Sequence, residues 1–186
     1  MGASKVVGID ISEKMIEVAR KENSGENIEY INMSMDDLDQ LDMKFDIVCS
    51  SLAFHYVENL NYLVNRIHSI LNDNGLLIFS QENPLTSTYQ DSSGPRWEKD
   101  QKGNKIASRL SDYCVESKRE STWFSTKITK YHRTFSTIIN TLIDSGFIIK
   151  KLLEPIPNKK EMEKYPEYKD NYHRPDFLLV KVEKYI

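Results

Sequence analysis

Short apolar runs alternating with amphipathic helical stretches constrain this chain more than any other feature of its sequence. Val6-Val7-Gly8-Ile9 is an apolar run that ends at Asp10 and reads as a buried parallel strand. Ser12 then stands at an N-cap position with Glu13 in the first turn. Met15, Ile16 and Ala19 form the apolar stripe of a helix reaching about Glu22, where Asn23-Ser24-Gly25 ends it. Residues 28–32 make the next strand, 36–43 an acidic loop with room for one helical turn, and Phe45-Asp46-Ile47-Val48-Cys49-Ser50 a third strand. Leu60, Leu63, Val64, Ile67 and Leu71 repeat at helical spacing, which predicts a helix over 60–71. Asn72-Asp73-Asn74-Gly75 is its stop and turn, and a fourth strand covers 76–80. Further on, Thr134 caps a helix carrying Ile138, Ile139, Leu142 and Ile143, stopped at Ser145-Gly146. A strand at 147–153 ends at Pro155 and Pro157, a charged segment covers 158–174, and a last strand covers 177–182.

Strands alternating with helices predict a parallel α/β sheet, and 186 residues suit a single domain over 1–186. Between residues 83 and 127 the pattern breaks into Ser, Gly and Pro-rich loops punctuated by Tyr89, Trp97, Tyr113, Trp123 and Phe124. An insertion of this kind, 84–127, is expected to form a lid over the carboxyl ends of the strands, more mobile than the sheet.

The net charge of -3 offers no basic face for nucleic acid. No apolar run approaches the ~20 residues that span a bilayer, so no membrane association is expected. Met1-Gly2-Ala3-Ser4-Lys5 runs into a strand without the layout of a signal peptide, and Val6 stands where a myristoylation start has Ser or Thr. Cys49 and Cys114 fit neither a disulfide framework nor a zinc site, and Cys49 reads as a small core residue. A reducing, cytoplasmic location is the default. No metal-ligand cluster stands out, and oligomeric state is left open.

In an open α/β sheet, ligands bind beyond the carboxyl ends of the strands. Asp10 lies at such an end, where a carboxylate can accept from both hydroxyls of a ribose. A helix-capping or solvated aspartate explains the same position, and a nicotinamide-dependent Rossmann enzyme would also place an acid there. Ser50-Ser51-Leu52-Ala53-Phe54-His55-Tyr56 follows a strand end and precedes a helix, and its small hydroxyl residues let a ligand approach the backbone. His55 is a candidate general base, because an ordinary imidazole titrates near neutrality; a histidine hydrogen-bonded within its loop is the competing reading. Tyr131-His132-Arg133-Thr134 precedes a helix. There Arg133 is suited either to holding an anionic group of substrate or cofactor, or to a helix-start salt bridge. Tyr165-Pro166-Glu167-Tyr168 and Tyr172-His173-Arg174-Pro175 read as a solvated loop, or as the rim of a site.

Taken together these motifs resemble a known family. Val6-Val7-Gly8-Ile9-Asp10-Ile11-Ser12-Glu13-Lys14-Met15 is similar to the second-strand signature of class I S-adenosylmethionine-dependent methyltransferases. Phe45 through Tyr56 resembles their fourth-strand motif. Leu71-Asn72-Asp73-Asn74-Gly75-Leu76-Leu77-Ile78-Phe79-Ser80 resembles their L-x-x-G-G-x-L turn, with Asn74 in place of the first glycine. Tyr131-His132-Arg133-Thr134, Asp144-Ser145-Gly146-Phe147 and Arg174-Pro175-Asp176-Phe177-Leu178-Leu179 are like the terminal elements of a small-molecule subgroup.

The resemblance implies a Rossmann-like sheet, mostly parallel, with an antiparallel C-terminal edge hairpin, and methyl transfer from S-adenosylmethionine to a small molecule. By position it implies that Asp10 binds the ribose hydroxyls, that Ile11 packs on the adenine face, and that Met35 and Asp36 flank the adenine edge. Many members have an acid where Ser34 stands. Ser50, Ser51 and Leu52 would border the methionine moiety, His55 would face the substrate, and His132 and Arg133 would lie on the substrate side.

The family's first strand, its Gly-x-Gly loop and the helix after it have no counterpart in these 186 residues. Gly2-Ala3-Ser4-Lys5 resembles the turn that follows that helix, so the resemblance implies an N-terminally truncated domain with Met1 as an internal methionine. In the family the missing strand lies between the two that correspond to 6–9 and 45–50, so these runs are expected not to pair, and methyl transfer by the chain as given is expected to be impaired. A non-catalytic fold remnant or interaction module is the alternative from another class; a nicotinamide oxidoreductase is a weaker one.

Overall fold

The computed structural model describes residues 2–89, 96–123 and 126–185. The chain divides into two compact units, Met1–Met43 and Lys44–Ile186.

In the first unit, strand β1 (Val6–Asp10) leads through helix α1 (Glu13–Glu22) to strand β2 (Ile28–Asn32), and a 3₁₀ turn (Met35–Gln40) follows. The strands are parallel, with Val6 opposite Ile28 and Asp10 opposite Asn32, which is the βαβ connection the apolar runs imply. Ser12 caps α1, its Oγ accepting the Met15 N–H at 3.4 Å. Gly8 is required by packing, since a Cβ there would lie 2.8 Å from the Tyr30 ring. Tyr30 is held in turn: its hydroxyl donates to the Asn23 carbonyl at 3.1 Å, and Arg20 donates to its own carbonyl at 2.7 Å.

The second unit is built on a four-stranded sheet. Its strands are β3 (Phe45–Ser51), β4 (Leu71–Glu82), β9 (Phe147–Leu153) and β10 (Phe177–Lys184), in the order β3-β4-β10-β9. β3 and β4 run parallel, while β10 is antiparallel to both β4 and β9. A 3₁₀ turn (Phe54–Tyr56) and helix α2 (Leu60–Ile70) connect β3 to β4, and helix α3 (Phe135–Asp144) precedes β9. The expected fold class therefore holds, with parallel pairs β1–β2 and β3–β4 and an antiparallel C-terminal edge. β1 and β3 belong to separate sheets.

The core of this unit is the apolar stripe of α2 (Leu63, Val64, Ile67) with Ile138 and Leu142 of α3, Leu77 and Phe79 of β4, and Leu178, Val180 and Val182 of β10. Phe54 stacks on Phe79 with ring centroids 4.2 Å apart, which fixes the turn after β3 to the sheet. Burying each such side chain contributes about 1.5–3 kcal/mol.

Several expectations need correction. The fourth strand begins at Leu71, not at 76, but residues 72–75 leave the ladder: the register jumps from Phe45 opposite Leu71 to Ile47 opposite Leu76. Asn74 takes the left-handed conformation there, φ 60, which asparagine tolerates better than other side chains. Cys49 is exposed, because it shares with Ile47 the uncovered face of β3, and so is not a core residue. The stretch 84–127 is not all loop. It carries hairpin β5–β6 (Trp97–Lys99, Lys105–Ser108), and β7 (Ser117–Trp123) pairs with β8 (Thr126–His132), while 90–95 and 124–125 of the expected lid lie outside the described residues. The charged segment holds helix α4 (Lys159–Lys164), started by a capping box between Asn158 and Glu161, and a 3₁₀ turn (Pro166–Tyr172).

Candidate functional site

In the first unit the candidate residues gather at the carboxyl end of β1. Asp10 Oδ1 accepts the Ser12 N–H at 2.8 Å, fixing the carboxylate against the start of α1. Its Oδ2 has no hydrogen-bond partner among the described residues. One oxygen thus does the capping that an ordinary aspartate would do, and the other stays available. The Asp10 carbonyl accepts from Met33 N at 3.0 Å and from Asn32 Nδ2 at 2.9 Å, which ties the end of β2 to the same place. Met35 and Asp36 open the following turn, where Ser34 Oγ accepts the Asp36 N–H at 3.1 Å. The Ser34 side chain is thereby spent on capping. Ile11 is 76% exposed beside Asp10, an apolar side chain left in solvent next to a fixed carboxylate. This set, a free carboxylate oxygen, an apolar face and a polar turn, fits a ribose diol and the purine attached to it.

In the second unit the carboxyl end of β3 carries Ser50, Ser51 and Leu52. Leu52 has φ 53, a conformation costing a leucine roughly 1–2 kcal/mol. Its N–H donates to the Ser80 carbonyl at 2.9 Å, and Ser80 Oγ lies 3.1 Å away, so neighbouring β4 holds the reversal in place. Strain of this kind gathers where a backbone must present itself to a ligand.

His55 is buried and its Nδ1 accepts the Glu82 N–H at 3.3 Å, which places the ring proton on Nε2. Burial is the main cause that lowers its pKa from 6.5 to about 4; the Glu82 carboxylate opposes the shift and the Lys130 ammonium adds to it. Lys130 and Glu82 form an ion pair beside the ring. The imidazole is therefore neutral near pH 7 and suited to donate from Nε2, whereas the expectation of a general base assumed an ordinary pKa.

His132 and Arg133 sit at the end of β8 and brace this region. His132 is 1% exposed with both ring nitrogens engaged, Nδ1 with Ser87 Oγ at 2.8 Å and Nε2 with the Tyr113 carbonyl at 2.8 Å. It is a strut in this geometry and presents no free nitrogen. Arg133 Nη2 donates to the carbonyls of Val57 and Glu58, the latter at 2.8 Å, and so fixes the turn that carries His55. The helix-start salt bridge considered for it is replaced by these carbonyl contacts.

Sequence reasoning passed over four polar residues that shape the site. Glu82 and Lys130 lie beside His55. Arg119 is 5% exposed, and its guanidinium donates to the carbonyls of Ser87, Thr88 and Val115 and to Ser117 Oγ, stitching β7 to the segment after β4. Asn83 is fully buried; its Nδ2 donates to Glu154 Oε1 at 2.7 Å and its Oδ1 accepts from Leu85 N at 3.0 Å. Glu82 and Asn83 lie just past the fourth strand expected over 76–80, where no sequence signal marked them, and a charged residue in a polar hairpin carries no signal of burial. Among the described residues no His, Cys, Asp and Glu cluster has metal-site geometry, and no helix is long and apolar enough to cross a membrane.

A family model described as "Methyltransferase domain" matches residues 1–79. An uncharacterised protein of Haemophilus influenzae is 41% identical over 98% of this chain and 73% of its own length. A solved S-adenosylmethionine dependent methyltransferase from Mesorhizobium loti superposes with TM-score 0.85 at 35% identity, covering 98% of this chain and 82% of that one. A second solved structure, from Listeria monocytogenes, also gives TM-score 0.85, at 34% identity over 100% of this chain and 82% of that one.

Proposed function

We propose, for a chain that belongs to the S-adenosylmethionine-dependent methyltransferase family, methyl transfer to a small-molecule acceptor at the carboxyl ends of its strands. The observation that carries this reading is Asp10: one carboxylate oxygen fixed by Ser12, the other available, with exposed Ile11 alongside. The family assignment and the antiparallel β10 displace the nicotinamide alternative.

The cofactor, when bound, supplies an electrophilic methyl group on a sulfonium. Asp10 accepts the ribose hydroxyls, Ile11 covers one adenine face, and Met35 and Asp36 border its edge. Ser50, Ser51 and the reversed backbone at Leu52 border the methionine portion. His55 faces the acceptor and orients it by donating from Nε2, while Glu82 N holds the opposite nitrogen. Arg133 and His132 serve this face by positioning, one through the Val57–Glu58 backbone and the other through Ser87. Alignment and exclusion of water supply the rate in such a reaction. Residues 1–186 act as one methyltransferase domain in this reading, with 84–127 as its lid, in the cytoplasm.

No Gly-x-Gly loop occurs in the sequence to cradle the cofactor's amino-acid end. Transfer by the 186-residue chain is accordingly slow, since a misplaced reacting group costs about a hundredfold in rate. A radiolabelled methyl-transfer assay over a panel of small acceptors tests this. It is run beside a chain bearing an added strand–Gly-x-Gly–helix segment ahead of Met1. Transfer by the longer chain and little by the shorter is expected. Equal rates would refute the impairment, and no transfer by either would refute the small-molecule reading.

A further inference from the structure

Two buried arginines of the second unit are treated in opposite ways by the fold. Arg119 and Arg174 are 5% and 7% exposed. Every guanidinium nitrogen of Arg119 has an oxygen partner. Arg174 makes no side-chain hydrogen bond among the described residues, and its Nε and Nη1 are buried without a partner. Among the described residues its nearest carboxylate oxygen, Asp176 Oδ1, is 3.8 Å from Nη2, too far for a hydrogen bond, and Asp176 is half in solvent. Leaving charged donors unpaired away from water is unfavourable, and a ligand that completes them removes the penalty.

The surroundings define what would complete them. Trp97 of β5 lies under the guanidinium, 4.8 Å from its carbon to the ring centroid. Lys105 stands over the same ring at 4.4 Å, but its charge is matched by Asp170 at 2.7 Å. Glu82 is matched by Lys130. Arg96, another positive charge, acts on Arg174 unfavourably, while Tyr89, Glu82 and Asp176 act favourably. Once matched pairs are set aside, Arg174 and Arg96 face Asp176 among the described residues, an excess of one positive charge there. A monoanion neutralises it, and a planar carboxylate fits the fork of a guanidinium. The location ties this to the acceptor. Arg174 lies three residues before Phe177, Phe177 pairs with Glu82, and Glu82 N holds His55.

We propose that Arg174 is the anchor for a single carboxylate carried by the methyl acceptor, so that the substrate class is small carboxylic acids. This rests on the reading of the β4 end as the acceptor side.

The test uses the full chain with benzoate as probe, benzamide as its uncharged counterpart and inorganic phosphate as the competing anion. Binding is followed by thermal unfolding and by the Arg174 Nε resonance in ¹⁵N NMR. Benzoate is expected to raise the unfolding temperature and shift that resonance, benzamide to do neither, and phosphate to bind more weakly. Arg174→Leu is expected to unfold at or above the wild-type temperature without probe and to bind benzoate about tenfold more weakly or worse. The proposal is overturned if benzoate leaves the Arg174 resonance unmoved, if phosphate binds better, or if ligand-free Arg174→Leu is strongly destabilised or unfolded, which would mean a structural partner. A parallel titration with S-adenosylhomocysteine separates the two readings: cofactor binding without benzoate binding refutes only the carboxylate anchor. Benzoate binding at Arg174 without cofactor binding refutes only the methyltransferase site.

Discussion

His55 offers a quantitative handle on the site, because its burial makes stability depend on pH in a defined window. Its pKa falls from 6.5 to about 4 on folding, mainly through loss of hydration, so the unfolded chain binds more protons between those values. Stability is therefore undiminished above the unfolded pKa and declines as pH falls from 6.5 through about 4. Moving an imidazole pKa over that interval corresponds to about 3 kcal/mol in total, and roughly 2 kcal/mol is already lost near pH 5. His55→Asn keeps an acceptor for the Glu82 N–H and removes the titration. His68 and His132 also have pKa values lowered by burial, but both remain in the variant and cancel in the difference. Urea unfolding of both proteins near pH 7.5 and near pH 5 should show the cost of His55→Asn shrinking by roughly 2 kcal/mol at the acid end. A cost unchanged between the two pH values, or a His55 NMR titration near 6.5, would show that the ring is hydrated and the reasoning wrong.

Gly75→Ala should destabilise the second unit by about 1–3 kcal/mol, since a Cβ there would meet the Asn72 carbonyl oxygen at 2.7 Å; a denaturation midpoint equal to wild type would count against the turn geometry. Arg133→Met should cost about 1–3 kcal/mol by orphaning the carbonyls of Val57 and Glu58, and should lower turnover more than cofactor affinity. Loss of cofactor affinity with stability intact would instead place Arg133 in direct contact with the cofactor.

The elements legible in the sequence are those whose pattern records one-sided burial. The stripes of α2 and α3, the caps Ser12 and Thr134, and the apolar runs of β1, β3 and β10 each carried a period or a capping residue. β7 and β8 did not: Ser117-Lys118-Arg119-Glu120-Ser121 and Thr126-Lys127-Ile128-Thr129-Lys130 alternate little, because polar groups of that hairpin are satisfied by partners distant in sequence. The capping box at Asn158 and Glu161 was present in the sequence but lay among charges that read as a solvated loop. Asp10 was legible from its place at a strand end, whereas the state of His55 was not. Its lowered pKa follows mainly from burial, with Glu82 opposing the shift and Lys130 adding to it, residues 27 and 75 positions away in the chain. Arg174 was visible only as one member of a rim, since nothing local in Tyr172-His173-Arg174-Pro175 distinguishes a buried guanidinium from a solvated one.

The adenosine site at Asp10 is the centre of this account, and calorimetric titration of S-adenosylhomocysteine into the wild-type chain, Asp10→Ala and His55→Ala tests it most directly. Removal of the Asp10 carboxylate deletes charge-assisted hydrogen bonds worth about 1.5–3 kcal/mol, a loss of roughly tenfold to a hundredfold in affinity. Measurable binding by wild type, that loss for Asp10→Ala, and affinity close to wild type for His55→Ala are expected. No binding by wild type, or equal losses for the two variants, would contradict an adenosine site at Asp10.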